Sequence, residues 1–126
     1  MNLINLVKPI IELSVLAGES ILKIYDTEFE IDEKKDSTPL TEADLQSHNI
    51  IVSGLKSITP DIPIISEEEK LESFSSRKNR RRYWLIDPLD GTREFINKNG
   101  EFTVNIALIE NNIPVLGVVH VPVKSE

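Results

Sequence analysis

Two aspartates stand three residues apart in the segment 87–92, Asp-Pro-Leu-Asp-Gly-Thr, which directly follows the apolar run 83–86. An apolar strand that ends in such a segment can deliver both carboxylates to one site. Hard divalent cations such as Mg²⁺ bind several oxygen ligands and commonly keep waters. Asp87, Asp90 and the backbone carbonyl of Leu89 are therefore candidate metal ligands, although Asp-Pro and Asp-Gly taken alone are also common turn formers.

The next two residues, Gly91 and Thr92, could supply a second part of the same chemistry. If a short helix begins there and continues over 93–97, its first backbone N–H groups and the positive end of its dipole would face an anion. Such an anion could be the phosphate that the neighbouring cations bind.

Two further acidic elements lie upstream, each at the end of a predicted element. Glu67 follows the apolar run 62–66, and Asp44 lies near the predicted start of a helix at Thr41. Taken separately, Glu67 is typical of a solvated loop and Asp44 of a helix cap. Together with Asp87 and Asp90 they favour one shared cation site, because clustered carboxylates repel one another unless a cation lies among them.

Several other chemistries have no support in the residues. The chain has no Cys, and neither His48 nor His120 has zinc-site spacing, so we expect both histidines to be structural. Glycine-rich nucleotide loops are absent. A phosphorylated-aspartate loop would need D-x-D where this chain has D-x-x-D. The net charge of −7 argues against binding to polymeric nucleic acid or anionic membranes. The basic run 77–82 is most typical of a solvated loop, and phosphate steering is the alternative.

Hydrophobic periodicity predicts the elements that must position these residues. A first helix is predicted to run to about Tyr25, and the apolar residues on one of its faces are Leu3, Leu6, Val7, Ile10, Leu13, Leu16 and Ala17. A second helix is predicted to begin near Thr41 and to end by Pro60. The apolar stripe of this second helix consists of Leu45, Ile51, Val52 and Leu55. Strands are predicted over 28–35, 62–66, 83–86, 102–109 and 115–121. The pair Asn111-Asn112 predicts a hairpin between the last two strands. The fold class is therefore α+β, with two helices on one face of a mostly antiparallel sheet.

The chain of 126 residues is long enough for one hydrophobic core, which predicts a single unit over 1–126. Its apolar amino terminus lacks a basic leader and is interrupted by Lys8, Pro9 and Glu12, so we interpret it as a helix and not as a signal peptide. No apolar run is long enough to span a bilayer. We expect a cytoplasmic protein, or one peripheral at the inner membrane.

At this point the motifs resemble those of the lithium-sensitive, magnesium-dependent phosphatases that include inositol monophosphatase and 3'(2'),5'-bisphosphate nucleotidase. The resemblance rests on Leu-Thr-Glu-Ala-Asp at 40–44, Ser-Glu-Glu-Glu at 66–69 and Trp-Leu-Ile-Asp-Pro-Leu-Asp-Gly-Thr at 84–92. The stretch from Asp87 to Glu110 is more similar to the bacterial CysQ-type nucleotidases than to the inositol phosphatases. The function implied is removal of the 3'-phosphate from 3'-phosphoadenosine 5'-phosphate to give AMP, with inositol monophosphate or another sugar phosphate as the alternative substrate.

The same resemblance implies a role for each matched residue and two or more Mg²⁺ ions. The implied metal ligands are Glu67, Asp87, the Leu89 carbonyl and Asp90. Asp44 and Thr92 would orient or deprotonate the attacking water. Contacts with the substrate phosphate would come from Glu67, Leu89, Asp90, Gly91 and Thr92. The implied fold is the first part of a layered α/β sandwich.

Family members also carry a further metal-binding aspartate and most of the substrate pocket in a carboxyl-terminal half. We therefore expect this chain to be a truncated amino-terminal unit that self-associates or needs a complementary half. A function of another class also follows, in which the chain is a non-catalytic remnant or an interaction subunit.

Overall fold

The computed structural model describes residues 3–25, 37–66, 81–91, Phe95 and 100–124, with only the backbone of residues 37–41. Two helices, α1 (Ile4–Tyr25) and α2 (Ser37–Ile58), pack on a four-stranded sheet. The strands are β1 (Ile64–Ser66), β2 (Arg82–Asp90), β3 (Thr103–Glu110) and β4 (Ile113–His120), in that spatial order. Strand β1 is parallel to β2 and the other pairs are antiparallel, which confirms the predicted α+β class with a mostly antiparallel sheet.

Helix α1 ends at Tyr25, as its periodicity predicts, and buries a narrower stripe than the sequence suggested. The buried members include Leu6, Ile10 and Leu13, whereas Leu16 is 53% exposed and Val7 is also exposed. At 3.6 residues per turn, these last two lie about 90° from the centre of the buried stripe. Their assignment to the core was wrong for that reason.

Helix α2 begins at Ser37, so the predicted start near Thr41 is wrong. Pro39 is compatible with this start, because a proline in the first helical turn lacks only an N–H that would have no partner within the helix. Asp44 consequently lies inside the helix and not at its start. Leu45, predicted to lie on the apolar stripe, is 57% exposed.

The strands confirm most of the predicted extended segments with shifted ends. β1 is shorter than predicted, and β2 starts one residue earlier and continues to Asp90. The hairpin between β3 and β4 turns at Asn111 and Asn112, both with positive φ (52° and 66°), as the Asn-Asn pair predicted. The predicted strand 28–35, and all of the predicted helix 93–97 except Phe95, lie outside the described residues.

The main core lies between the helices and one face of the sheet. Trp84 and Ile86 from β2 pack there beside Val104, Ile106 and Leu108 from β3. The buried Trp84 indole N–H donates to the Thr59 hydroxyl at 2.9 Å, which ties the end of α2 to the centre of the sheet. A smaller cluster of Ile65, Tyr83 and Ile109 lies on a separate part of the sheet.

Within the described residues, neither helix has the combination of length and apolar character that crossing a membrane requires. The basic run also has a partly structural explanation. Arg82 opens β2 and forms an ion pair with Glu110 on β3 at 3.0 Å, at the end of β2 opposite to Asp90. Arg81 is exposed, and residues 77–80 lie outside the described part of the chain.

Candidate metal and phosphate site

A β-bulge at the end of β2 places Asp87 and Asp90 on the same face of the sheet. Asp87 pairs with Asn105 and Asp90 pairs with Thr103, so three steps along β2 match two steps along β3. Without the extra residue, side chains three positions apart on a strand would point to opposite faces. Asn105 and Thr103 are two residues apart on β3, so their side chains point to the same face of the sheet. Asp87 and Asp90, which lie directly opposite them, therefore share that face.

The bulge explains how a proline is accommodated in the strand. Pro88 cannot donate a ladder hydrogen bond, and bulges are among the few places in a sheet that tolerate such a residue. Both Pro88 and Leu89 are buried, whereas Asp87 is half-buried and Asp90 is exposed. The segment that was expected to break the strand is therefore an anchored part of the strand, with its two carboxylates directed to the same side.

Asn105 on β3 contacts the second carboxylate directly. Its side-chain Nδ2 donates a hydrogen bond to Oδ2 of Asp90 at 3.1 Å, along the diagonal of the β2–β3 ladder. Its Oδ1 is buried and has no hydrogen-bond partner among the described residues. A buried acceptor without a partner is uncommon in folded proteins. Asn105 therefore provides an oxygen beside two carboxylates.

Helix α2 is tied to the bulge by a hydrogen bond from Ser47. The fully buried Ser47 hydroxyl donates to the backbone carbonyl of Pro88 at 2.8 Å. Asp44 lies three residues earlier on α2 and is half-buried. Residues three apart share a helix face, so the side of α2 that contacts the bulge also carries Asp44. The structure thus brings the α2 candidate and the β2 candidates to the same end of the sheet.

We expect Ser47→Ala to lower the free energy of unfolding by about 1 kcal/mol, because it removes one buried hydrogen bond and leaves the Pro88 carbonyl without this donor. Urea denaturation followed by far-UV circular dichroism measures the change. Ser57→Ala is the matched control, since Ser57 is exposed on the same helix and should change stability by less than about 0.5 kcal/mol. Equal effects of the two substitutions would contradict a stabilising role for the Ser47–Pro88 contact.

Gly91 begins the segment that follows the two aspartates. Its φ of 104° is in the region that side-chain-bearing residues rarely adopt, which explains the glycine. The Phe95 N–H donates to the Gly91 carbonyl at 2.9 Å, and Phe95 is helical and fully buried. Its ring packs against Tyr25 and Phe102, with centroids 5.6 Å and 5.5 Å away. The packing of Phe95 in this aromatic cluster anchors the chain after the bulge.

Two predicted site residues, Glu67 and Thr92, lie outside the described residues. The parallel pairing of β1 with β2 ends at Ser66 opposite Ile86, each immediately before a predicted metal ligand in the sequence. Among the residues that are described, no three or more histidine or carboxylate side chains form a group that could hold a metal ion. The described part of the candidate metal site therefore consists of Asp87, Asp90 and their neighbours.

The donor chemistry of this end of the sheet fits Mg²⁺. Its side-chain donors on β2 and β3 include the carboxylates of Asp87 and Asp90 and the unpartnered Oδ1 of Asn105, all hard oxygens. A cation or its bound water would satisfy the Oδ1 atom.

The two histidines have different settings. His120 is buried where Gly18 of α1 leaves room, since a Cβ on Gly18 would be 2.8 Å from the imidazole. His48 lines a groove of about 410 Å³ between α2 and β1, together with Lys56 and Asp61. The packing of His120 is that of a structural residue, as predicted.

Sequence reasoning did not identify Ser47 or Asn105. Ser47 has a weak signal, its position one helical turn after Asp44. Asn105 has a stronger one, because it interrupts the apolar run Val-Asn-Ile-Ala-Leu-Ile of β3 with a residue that is depleted in strands.

Comparisons with known proteins agree on one family. Residues 3–126 match the model of the inositol monophosphatase family. The 3'(2'),5'-bisphosphate nucleotidase CysQ of Salmonella typhimurium is 49% identical over 120 residues, which are 94% of this chain and 48% of that protein. The chain thus spans about half the length of such a relative.

Solved structures give the same result. CysQ from Bacteroides thetaiotaomicron has a TM-score of 0.80 and 44% identity, covering 96% of this chain and 44% of that one. An inositol monophosphatase from Zymomonas mobilis has a TM-score of 0.78 and 31% identity, covering 97% of this chain and 45% of that one.

Proposed function

Because this chain belongs to the inositol monophosphatase family, we propose that it is the amino-terminal unit of a magnesium-dependent phosphomonoesterase that acts on 3'-phosphoadenosine 5'-phosphate. The observation that carries the proposal is the β-bulge, which directs Asp87 and Asp90 to one face. The unit would correspond to residues 1–126, and two or more Mg²⁺ ions would bind at this end of the sheet.

The choice of substrate is supported by the degree of similarity. The chain is 49% identical to a CysQ nucleotidase and 31% identical to an inositol monophosphatase, over similar fractions of its length. Inositol monophosphate or another sugar phosphate remains the second candidate, supported by the fold that all these proteins share.

In the proposed reaction, water adds to the 3'-phosphorus, the bond from phosphorus to the ribose 3'-oxygen breaks, and AMP and inorganic phosphate leave. Bound Mg²⁺ would polarise the phosphoryl oxygens and stabilise the leaving alkoxide. Asp87, Asp90, Glu67 and the Leu89 carbonyl would hold the ions. Asp44, with Thr92, would orient the water and accept its proton, and Gly91 and Thr92 would contact the phosphate.

The test joins this chain to the carboxyl-terminal half of the Salmonella typhimurium relative and measures phosphate release with Mg²⁺. We expect kcat/KM for 3'-phosphoadenosine 5'-phosphate to exceed that for inositol monophosphate by at least about tenfold, a difference of about 1.4 kcal/mol. The chain alone is assayed in parallel. A joined protein that prefers inositol monophosphate would show that the substrate assignment is wrong.

A function of another class is the alternative to this proposal. In that case the chain binds a metal ion or a partner without turning over substrate. Calorimetry with Mg²⁺ on the wild type and on Asp87→Asn detects the metal site. Binding that Asp87→Asn abolishes, with no phosphate release alone or in the joined protein, would favour this non-catalytic function.

A further inference from the structure

We propose that Asn105 is a positioning residue of the metal site, which holds the Asp90 carboxylate with Nδ2 and offers Oδ1 as an extra acceptor to the hydrated cation. This inference rests on the proposed function, since it requires that Asp87 and Asp90 bind Mg²⁺. It adds a residue that the motif-based assignment of ligands does not include.

The first support is the position of Asn105 in the ladder. It lies directly opposite Asp87 on the neighbouring strand and donates to Asp90 at 3.1 Å, so one side chain is adjacent to both carboxylates. A hydrogen bond from Nδ2 restricts the rotation of the Asp90 carboxylate, which is otherwise exposed. Partners that orient a metal ligand in this way commonly affect metal affinity.

The second support is the unsatisfied Oδ1 atom. Because a carboxylate only accepts hydrogen bonds, the amide must direct Nδ2 to Asp90 and Oδ1 away from it. Oδ1 is then buried with no hydrogen-bond partner in the described part of the chain. Such a group costs free energy in the absence of a ligand. A cation, or a water bound to it, provides the interaction that the protein does not.

Among the described residues, the packing around Asn105 gives no reason for an amide. The flanking residues Val104 and Ile106 point to the main core, whereas Asn105 lies on the other face of β3, and Val119, directly opposite Asn105 on β4, is exposed. A purely structural strand residue at this position would be expected to be β-branched or aromatic. The chemistry of Asn105 is therefore best explained by the two carboxylates beside it.

The experiment compares wild type, Asn105→Ala, Asn105→Asp and the control Asn49→Ala, whose side chain is exposed on α2. Calorimetry measures Mg²⁺ affinity, and thermal melts in EDTA and in Mg²⁺ measure the metal-dependent rise in Tm. We expect Asn105→Ala to weaken Mg²⁺ binding about tenfold. Asn105→Asp should melt below wild type in EDTA and gain more from Mg²⁺, because its carboxylate repels Asp90 until a cation is bound. Asn49→Ala should match wild type.

The outcomes separate this inference from the proposed function. If wild type binds Mg²⁺ and Asn105→Ala binds it equally well, with the same loss of Tm in EDTA and in Mg²⁺, Asn105 is only a cross-strand packing residue and the inference is overturned. If wild type binds no Mg²⁺, the proposed metal site and the role of Asn105 are both overturned. Circular dichroism establishes that each variant is folded.

Discussion

Replacing Asp87 with Asn is expected to lower kcat/KM for 3'-phosphoadenosine 5'-phosphate about 10³-fold in the chain joined to a nucleotidase carboxyl-terminal half. The substitution keeps the shape of the side chain and removes the negative charge that the proposed Mg²⁺ needs. Metal ions supply several kcal/mol of transition-state stabilisation, and about 4 kcal/mol corresponds to about 10³-fold in rate. Phosphate release at saturating and limiting Mg²⁺ measures the effect.

Asp61→Asn is the matched control, because Asp61 is an exposed aspartate that precedes β1, at the end of that strand away from Ser66. It should leave kcat/KM within about twofold of the parent, as a surface substitution away from the site would. If Asp87→Asn also remains within a few-fold of the parent, Asp87 is not a metal ligand. The D-x-x-D segment would then be a bulge with only a structural purpose.

The spacing of Asp87 and Asp90 shows how far the sequence could predict the site. Residue types and turn signals were sufficient to select both aspartates. They suggested a loop, however, whereas the structure has a strand with one extra residue. A bulge depends on pairing with β3, a segment distant in sequence, so local patterns cannot specify it. The sequence selected the two aspartates, and the reason for their common orientation required the tertiary structure.

Helix α2 illustrates a second limit. The apolar spacing of Ile51 and Leu55 predicted the helix and its buried side, and both residues are fully buried. Its start could not be predicted because Pro39 is compatible with either a turn or a first helical turn. Thr41 was accordingly interpreted as the start of the helix, although it is the fifth residue. The first residue of a helix that begins near a proline therefore depends on the tertiary packing of the neighbouring segment.

Strand β4 carries an apolar surface that bears on the association of the chain. The β-branched stretch 115–123, most of which belongs to this strand, is expected from the sequence to expose apolar surface. On β4, Ile113, Val115 and Val119 are exposed, but Leu116 and Val118 are partly buried against the main core. The two sets alternate because neighbouring strand residues point to opposite faces. One face of β4 therefore belongs to the core, and the other exposes apolar side chains next to Asn105.

We expect the isolated chain to self-associate at micromolar concentration through this face and the outer edge of β4, which has no strand neighbour in the described sheet. Exposed apolar strands at a sheet edge favour association with another chain. The net charge of −7 opposes nonspecific aggregation but cannot pair backbone groups. A chain corresponding to the carboxyl-terminal half of the relatives, added separately, should compete with self-association and raise the Tm.

Sedimentation velocity and thermal melts test this with Val119→Lys, which places a charge on a side chain that is 66% exposed. The substitution should shift the chain towards the monomer, because lysine on an edge strand disfavours pairing. Ile4→Lys, at a residue 80% exposed on α1, makes the same change in charge and should leave association unaltered. The wild type would instead be a self-sufficient domain if it is strictly monomeric, unfolds in one sharp transition and shows no change in Tm when the complementary half is added. The exposed face of β4 would then be an ordinary surface.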